Sequence, residues 1–446
     1  MNKKIFCVIT SLSLSHSVWA LDLVEAYQRA LNYDATWQAN QTRYLVEQRN
    51  LGIAKGAVLP TVSVNALLNK QYQDIDKNNA MNLGGGQTIN FIEDETTTKQ
   101  VAVSIRQPLF RMDVWQKYKQ VEISTELAEL SLQRQKQSLL LDVAQSYFDL
   151  LRQQSLQKLN QKEEQVLLQQ YNMMQAKFKQ GFVAKMDVSE AQAQYQSAGA
   201  KKVASSVQVQ LAKEKLEQLI GTVDSPLEDL NSSFVFQAPV PNDVSAWVDL
   251  ADRNNLELNQ NRLNYRVALQ QVKIDQADYY PQLEAVASSA WVKQSPENVI
   301  STNGRNDKIG LELNWTPYTG TRSAIIEKSR VAAKAAEQDI DAATRRIRTD
   351  VKGSYLQVAT AQTQLQAYQT AMESAQLVAK ASQASYQEGL KTMVDVLLAQ
   401  RNAFAAEQDF LNAKYDYLLN VLKLKAASGQ LAEQDLQELN QWLVVE

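Results

Sequence analysis

Cysteine and histidine are almost missing: the 446-residue chain has one of each, Cys7 and His16, and both precede residue 21. Lys3 and Lys4, the apolar run over residues 5–14 and the sequence Val18-Trp19-Ala20 before a candidate cleavage point predict a secretory signal peptide over residues 1–20. From Leu21 onward the chain has neither thiol nor imidazole. That excludes disulfides, thiol nucleophiles, histidine acid–base work and His or Cys metal sites from the mature part. Cys7 lacks the small-residue context of a lipid anchor. No nucleophile–base constellation takes the place of these residues, so an enzyme is not expected, nor a cofactor.

Excess charge of one sign is missing too. There are 46 Lys and Arg against 49 Asp and Glu, a net charge of −3 that becomes −5 without Lys3 and Lys4. No basic stripe points to nucleic acid. After the signal, no apolar run approaches the roughly 18 residues of a membrane helix, so this chain can enter a bilayer only with strands. The eight prolines, at 60, 108, 226, 239, 241, 281, 296 and 317, all fall outside the segments that read as helical.

What is there is said twice. Pro60 pairs with Pro281, Pro108 with Pro317, Ser146-Tyr147 with Ser354-Tyr355, Gly181 with Gly389, Asp187-Val188 with Asp395-Val396, and Gly221 with Gly429. The offset is 281 − 60 = 221 at the first proline but 317 − 108 = 209 at the second and 389 − 181 = 208 at the glycine, so the halves differ in length between the prolines. Insertions gather in exposed loop tips, which places a loop in that interval. A period of roughly two hundred residues is too long for a solenoid unit and means two similar halves of one architecture.

Residues 112–180 contain no Pro or Gly and are rich in Leu, Gln, Glu, Lys and Ala. They predict a helix of roughly 100 Å at about 1.5 Å per residue. Its counterpart over residues 321–388 is interrupted only by Gly353. Apolar residues recur at helical spacing, at Val143, Tyr147, Leu150 and Leu151 and again at Val166, Leu167, Tyr171, Met174 and Phe178, so these rods pack sideways on other helices. Each ends at a glycine turn, and return helices follow over residues 187–220 and 395–428, opened by Asp187 and Asp395. Each half also begins with a helix, expected as one piece over residues 23–58 and 244–279.

Between the prolines the period changes to two. Val62, Val64, Ala66 and Leu68 alternate with polar residues, as do Val101, Val103 and Ile105, and Ile309, Leu311, Leu313 and Trp315; the strand over residues 283–293 is weaker. Each half thus holds a hairpin, with a long polar loop at about residues 73–97 and a shorter one at 294–306. Such strands suit a membrane barrel or one side of a soluble two-layer sheet. In the membrane case four strands cannot close a barrel, since the smallest need about eight, and open edges in lipid leave backbone groups unpaired. Copies of the chain would then have to complete the sheet.

Trp291, Trp315, Tyr318 and Phe110 near the strand ends fit an interfacial girdle or simple packing. The glycine run at 84–86 lacks the residues and context of a phosphate loop, and Glu93-Asp94-Glu95 reads as a solvated acidic loop.

With helix, hairpin, long helix, glycine turn and return helix all present twice, the chain resembles the TolC-type outer-membrane efflux and secretion channels. The most specific stretches are Gln387-Glu388-Gly389-Leu390-Lys391-Thr392-Met393-Val394-Asp395-Val396-Leu397, Tyr415-Asp416-Tyr417-Leu418-Leu419-Asn420, Gly429, and Glu433-Gln434-Asp435-Leu436. The resemblance implies a mainly α fold with a β membrane part. In it a homotrimer forms a 12-stranded barrel in outer-membrane lipid and a 12-helix tunnel through the periplasm.

It implies repeats at 21–220 and 244–429, an equatorial connector at 221–243 and an equatorial tail at 430–446. It further implies a passive duct opened at its periplasmic tip, working with a periplasmic adaptor (membrane fusion) protein and an inner-membrane pump or ABC transporter. The gate maps onto Asp187, Tyr386, Lys391 and Asp395, and the adaptor-docking turns onto Gly181-Phe182 and Gly389-Leu390. Two departures are expected to weaken or change cation affinity at the gate: Leu398 stands where relatives carry a second aspartate, and Lys391 where arginine is usual. The alternative reading is a soluble periplasmic coiled-coil scaffold or adaptor.

Overall fold

The structure, a computed structural model, describes residues 20–72, 81–82, 88–89, 95–231, 239–295 and 303–444. Residues 1–19 of the expected signal peptide, the glycine run at 84–86 and the acidic residues 93–94 lie outside the described residues. In chain order the elements are α1 (Leu23–Tyr33), α2 (Ala35–Gly56), β1 (Thr61–Tyr72), β2 (Met81–Asn82), β3 (Thr88–Ile89), β4 (Glu95–Phe110), α3 (Met112–Lys179) and α4 (Lys185–Ile220). There follow β5 (Asp229–Leu230), α5 (Val244–Asn254), α6 (Leu256–Ala277), β6 (Gln282–Ser295), β7 (Gly304–Asn314), α7 (Arg322–Gln387), α8 (Met393–Ala427), α9 (Glu433–Asn440) and β8 (Leu443–Val444). The described residues sort into two compact units, one within 20–42, 130–259 and 342–444, the other within 43–129 and 260–341.

The first unit is helical and is built around α3 and α8. Leu140, Val143, Ala144, Tyr147, Phe148 and Leu151 recur at three- and four-residue spacing and are buried, as are Tyr415, Leu418 and Leu422 of α8. Burying a side chain of this size contributes about 1.5–3 kcal/mol each. The polar ends of the aromatic residues are satisfied as well. The Tyr147 hydroxyl lies 2.8 Å from the Leu21 carbonyl and 2.9 Å from that of Glu228, and burial pushes its pKa up. The Tyr415 hydroxyl donates to Asp229 at 2.9 Å. The segment after α4 and the C-terminal tail meet in the antiparallel pair β5–β8, and Leu21 bridges to Leu227.

The helix expected over 23–58 is in fact two, and so is the one over 244–279. Asp34, with extended φ −62° and ψ 117°, ends α1 by donating its N–H to Ala30 at 2.9 Å and begins α2 by accepting the Trp37 N–H at 2.5 Å. Asn255 does the same between α5 and α6, accepting the Leu258 N–H at 3.0 Å and donating to the Ala427 carbonyl at 2.8 Å. Good N-cap chemistry inside a helical pattern therefore wins over helix propensity.

The second unit holds a four-stranded antiparallel sheet in the order β1-β4-β6-β7. Hairpin β1–β4 runs from Thr61↔Arg106 to Tyr72↔Glu95, hairpin β6–β7 from Gln282↔Asn314 to Val292↔Gly304, and β4–β6 joins the two halves. The strands are longer than the alternation alone predicts: β4 begins at Glu95 and β6 reaches Ser295, so both take in residues expected to be loop. Trp315, expected within the last strand, follows the end of β7. Pro108, which cannot donate to the ladder, sits at a register shift before Phe110.

Register places Val62, Val64, Ala66, Val101, Val103, Ile105, Ala287, Ile309, Leu311 and Leu313 on one face. That face is open, with Ile309 91% exposed. The other face carries Ser63, Asn65, Ser104, Arg106, Glu284 and Glu312, with Arg106 reaching both glutamates at 2.8 Å. β1 and β7 are the edges of this sheet.

Candidate functional site

Both long helices end in the same local geometry. After α3, Gly181 takes φ +80°, its N–H donating to Phe178 at 2.9 Å while the Phe182 N–H reaches back to Lys177 at 3.0 Å. After α7, Gly389 takes φ +77°, with its N–H on Tyr386 at 3.1 Å and the Leu390 N–H on Ser385 at 2.9 Å. These reciprocal bonds satisfy the last carbonyls of each helix, and only glycine adopts the left-handed angle without strain. A Cβ at either glycine would meet nothing within 4 Å.

The residues after the glycines stand out into solvent. Phe182 is 74% and Leu390 79% exposed, and Met186 and Val394 lie open on the first turns of the return helices. Directly behind them is a packed cluster of Leu167, Met174, Ala191, Ala198, Met393, Val396 and Leu397, with Tyr171, Tyr195 and Tyr386 against it. α3, α4 and α8 supply its buried members. Tyr171 and Tyr195 stack with ring centroids 6.0 Å apart.

The return helices open on carboxylate caps. Asp187 accepts the Ala184 N–H at 3.0 Å. Asp395 accepts the Thr392 N–H at 3.0 Å and its hydroxyl at 2.7 Å, while Thr392 Oγ1 accepts the Asp395 N–H at 3.2 Å, a reciprocal box. These Thr392 bonds, helped by nearby Lys391, hold the Asp395 carboxyl below the usual carboxylate range.

The four mapped gate residues are not paired with one another within one chain. Tyr386 instead receives a hydrogen bond from Lys177 Nζ at 3.1 Å, the ammonium lying 4.5 Å from its ring centroid, and its hydroxyl points to Met174 Sδ at 3.8 Å. Lys391 donates to the buried Ser382 hydroxyl at 2.9 Å. The Lys177–Tyr386 contact ties α3 to α7, and a Gln170–Gln400 side-chain hydrogen bond ties α3 to α8. Sequence reading missed Lys177; its signal was a cation in the last turn of a long helix, where it also meets the helix dipole.

Comparison with known proteins matches the family described as outer membrane efflux protein to residues 26–222 and 247–430, one stretch in each half. The chain is similar to the outer membrane protein TolC of Vibrio cholerae, 28% identical over 442 residues and covering 97% of this chain and 96% of that protein. It is similar also to the alkaline protease secretion protein AprF of Pseudomonas aeruginosa, 26% identical over 433 residues and covering 96% of this chain and 88% of that one. Among solved structures, the Campylobacter jejuni CmeC outer membrane channel shares the fold at a TM-score of 0.78 and 14% identity, covering 95% of this chain and 90% of that one.

Proposed function

Because this chain belongs to the outer membrane efflux protein family, we propose that three copies close one 12-stranded barrel in outer-membrane lipid and one helical duct through the periplasm. The duct is passive. It serves efflux, type I secretion of polypeptide, or both, as the names of its relatives TolC and AprF imply, with an adaptor and an inner-membrane pump or ABC transporter supplying the drive.

The observation that carries this reading is the sheet: four antiparallel strands with an open apolar face, a polar face and two unpaired edges. A soluble scaffold would have to cover that face, whereas in a bilayer lipid covers it and neighbouring copies pair the edges. The count of three comes from the family.

In the helical unit, Asp187, Tyr386, Lys391 and Asp395 form the gate and Gly181-Phe182 with Gly389-Leu390 the adaptor-docking turns. The polar ties at Tyr386 and Lys391 support this assignment because each is a single, part-buried hydrogen bond that contacts with a partner can replace. The open space at both glycines and the exposed Phe182 and Leu390 support docking by close backbone approach. Asp395 alone, without a second carboxylate at Leu398, gives one ring of charge at the constriction.

The test is conductance of the purified trimer in planar bilayers. Tyr386→Phe with Lys391→Ser is expected to raise it several-fold; unchanged conductance in a folded trimer refutes the gate, and recovery of the mature protein only in the soluble periplasm refutes the channel.

A further inference from the structure

The open face of the sheet turns to charge toward the loop-bearing ends of its strands. Register puts Lys99 directly opposite Lys293 on β4 and β6, one row beyond the row Ala66–Val101–Trp291–Arg305. Both lysines are exposed and on the outward face. Their neighbours are already neutralised: Lys70 pairs with Glu95 at 2.6 Å and Arg305 with Asp307 at 2.9 Å. Lys99 and Lys293 have no such partner among the described residues. Like charges directly opposite across two strands, with Cβ atoms roughly 5 Å apart, destabilise a sheet unless something anionic sits between them.

We propose that Lys99 and Lys293 form a site for the phosphate monoester of a lipid headgroup in the outer leaflet, with Trp291 packing on the sugar or upper acyl region beneath it. This rests on the reading that the sheet spans the outer membrane. The orientation follows from the chain: the helices join the strands at the Thr61, Phe110, Gln282 and Asn314 ends, and the lysines lie toward the opposite, loop-bearing ends. Two ammonium groups at this spacing suit a phosphate dianion better than a single-charged diester, because each takes one charge-assisted hydrogen bond. The site repeats once per copy.

The trimer in detergent is titrated with a diphosphorylated glucosamine lipid and with the same lipid after enzymatic dephosphorylation, and bound lipid is read by native mass spectrometry. The phosphorylated probe is expected to bind about ten- to thirtyfold more tightly. Lys99→Gln with Lys293→Gln should erase that preference, while Lys308→Gln, on the other face of β7, should keep it. Equal binding of the two probes, or a preference that survives the double substitution, overturns the inference. So does lysine-dependent binding of inorganic phosphate alone at equal affinity, which would mean an ion site without lipid. Conductance of the unsubstituted protein separates the two levels: a conducting channel without lipid preference contradicts this inference alone, whereas a protein that never enters the bilayer contradicts the channel reading as well.

Discussion

At the scale of single residues, the paired glycines are not equivalent. Gly181 and Gly389 face open space, so alanine there costs about 1–2 kcal/mol for the left-handed angle alone. Gly429 also has φ +73°, but a Cβ on it would fall 2.4 Å from the Asn254 carbonyl oxygen, part of the backbone where α5 ends. Gly429→Ala should therefore lower the thermal midpoint of the protein clearly more than Gly181→Ala, measured side by side in detergent. Asp395 gives a second expectation. Its folded pKa is depressed, so the stability it adds to the start of α8 is fully present above its ordinary value of 3.8 and is lost as pH falls through the lower folded value. Hydrogen exchange at the Thr392 amide should stay slow down to about pH 4 and lose its protection only below it. Sequence alone marked all three glycines and Asp395, because turn glycines and cap carboxylates carry their chemistry locally. It did not reveal Lys177, whose partner Tyr386 is 209 residues away and is met only after the helices pack.

At the scale of elements, the long helices and their turns were legible because α3 has no residue that interrupts it and each turn has a glycine that must. The breaks at Asp34 and Asn255 were not, although their separation, 255 − 34 = 221, repeats the offset of the first proline pair. Helix formers on both sides masked two good caps. Asp34→Ala or Asn255→Ala should cost about 1 kcal/mol each through the lost cap, seen as faster exchange at the Trp37 or Leu258 amide; substitution by Ser should restore most of it. The strands run past their expected ends because polar residues there read as loop: Glu95, Thr96 and Thr97 carry no apolar alternation, yet they pair with Tyr72, Gln71 and Lys70. Backbone pairing, not apolar alternation, sets where a hairpin ends.

For the whole molecule, the inward and outward faces of the sheet make opposite demands on neighbouring positions. Ile309 lies on the apolar face and Gly310 on the polar one. In the proposed barrel Ile309→Lys, at the middle of β7, should cost about 2–4 kcal/mol per copy and reduce membrane-inserted protein, whereas Gly310→Lys should leave insertion intact and change conductance. Fractionation followed by native gel analysis reads insertion, and planar-bilayer recording reads conductance. The architecture also sets a genetic consequence. Because the sheet order places β1 at one edge and β7 at the other, every seam in a ring joins the first half of one copy to the second half of the next. In the proposed ring of three copies a chain crippled at either edge therefore poisons its companions: when damaged and intact genes are expressed equally, only about one ring in eight is free of damaged chains, and the defect should behave as dominant.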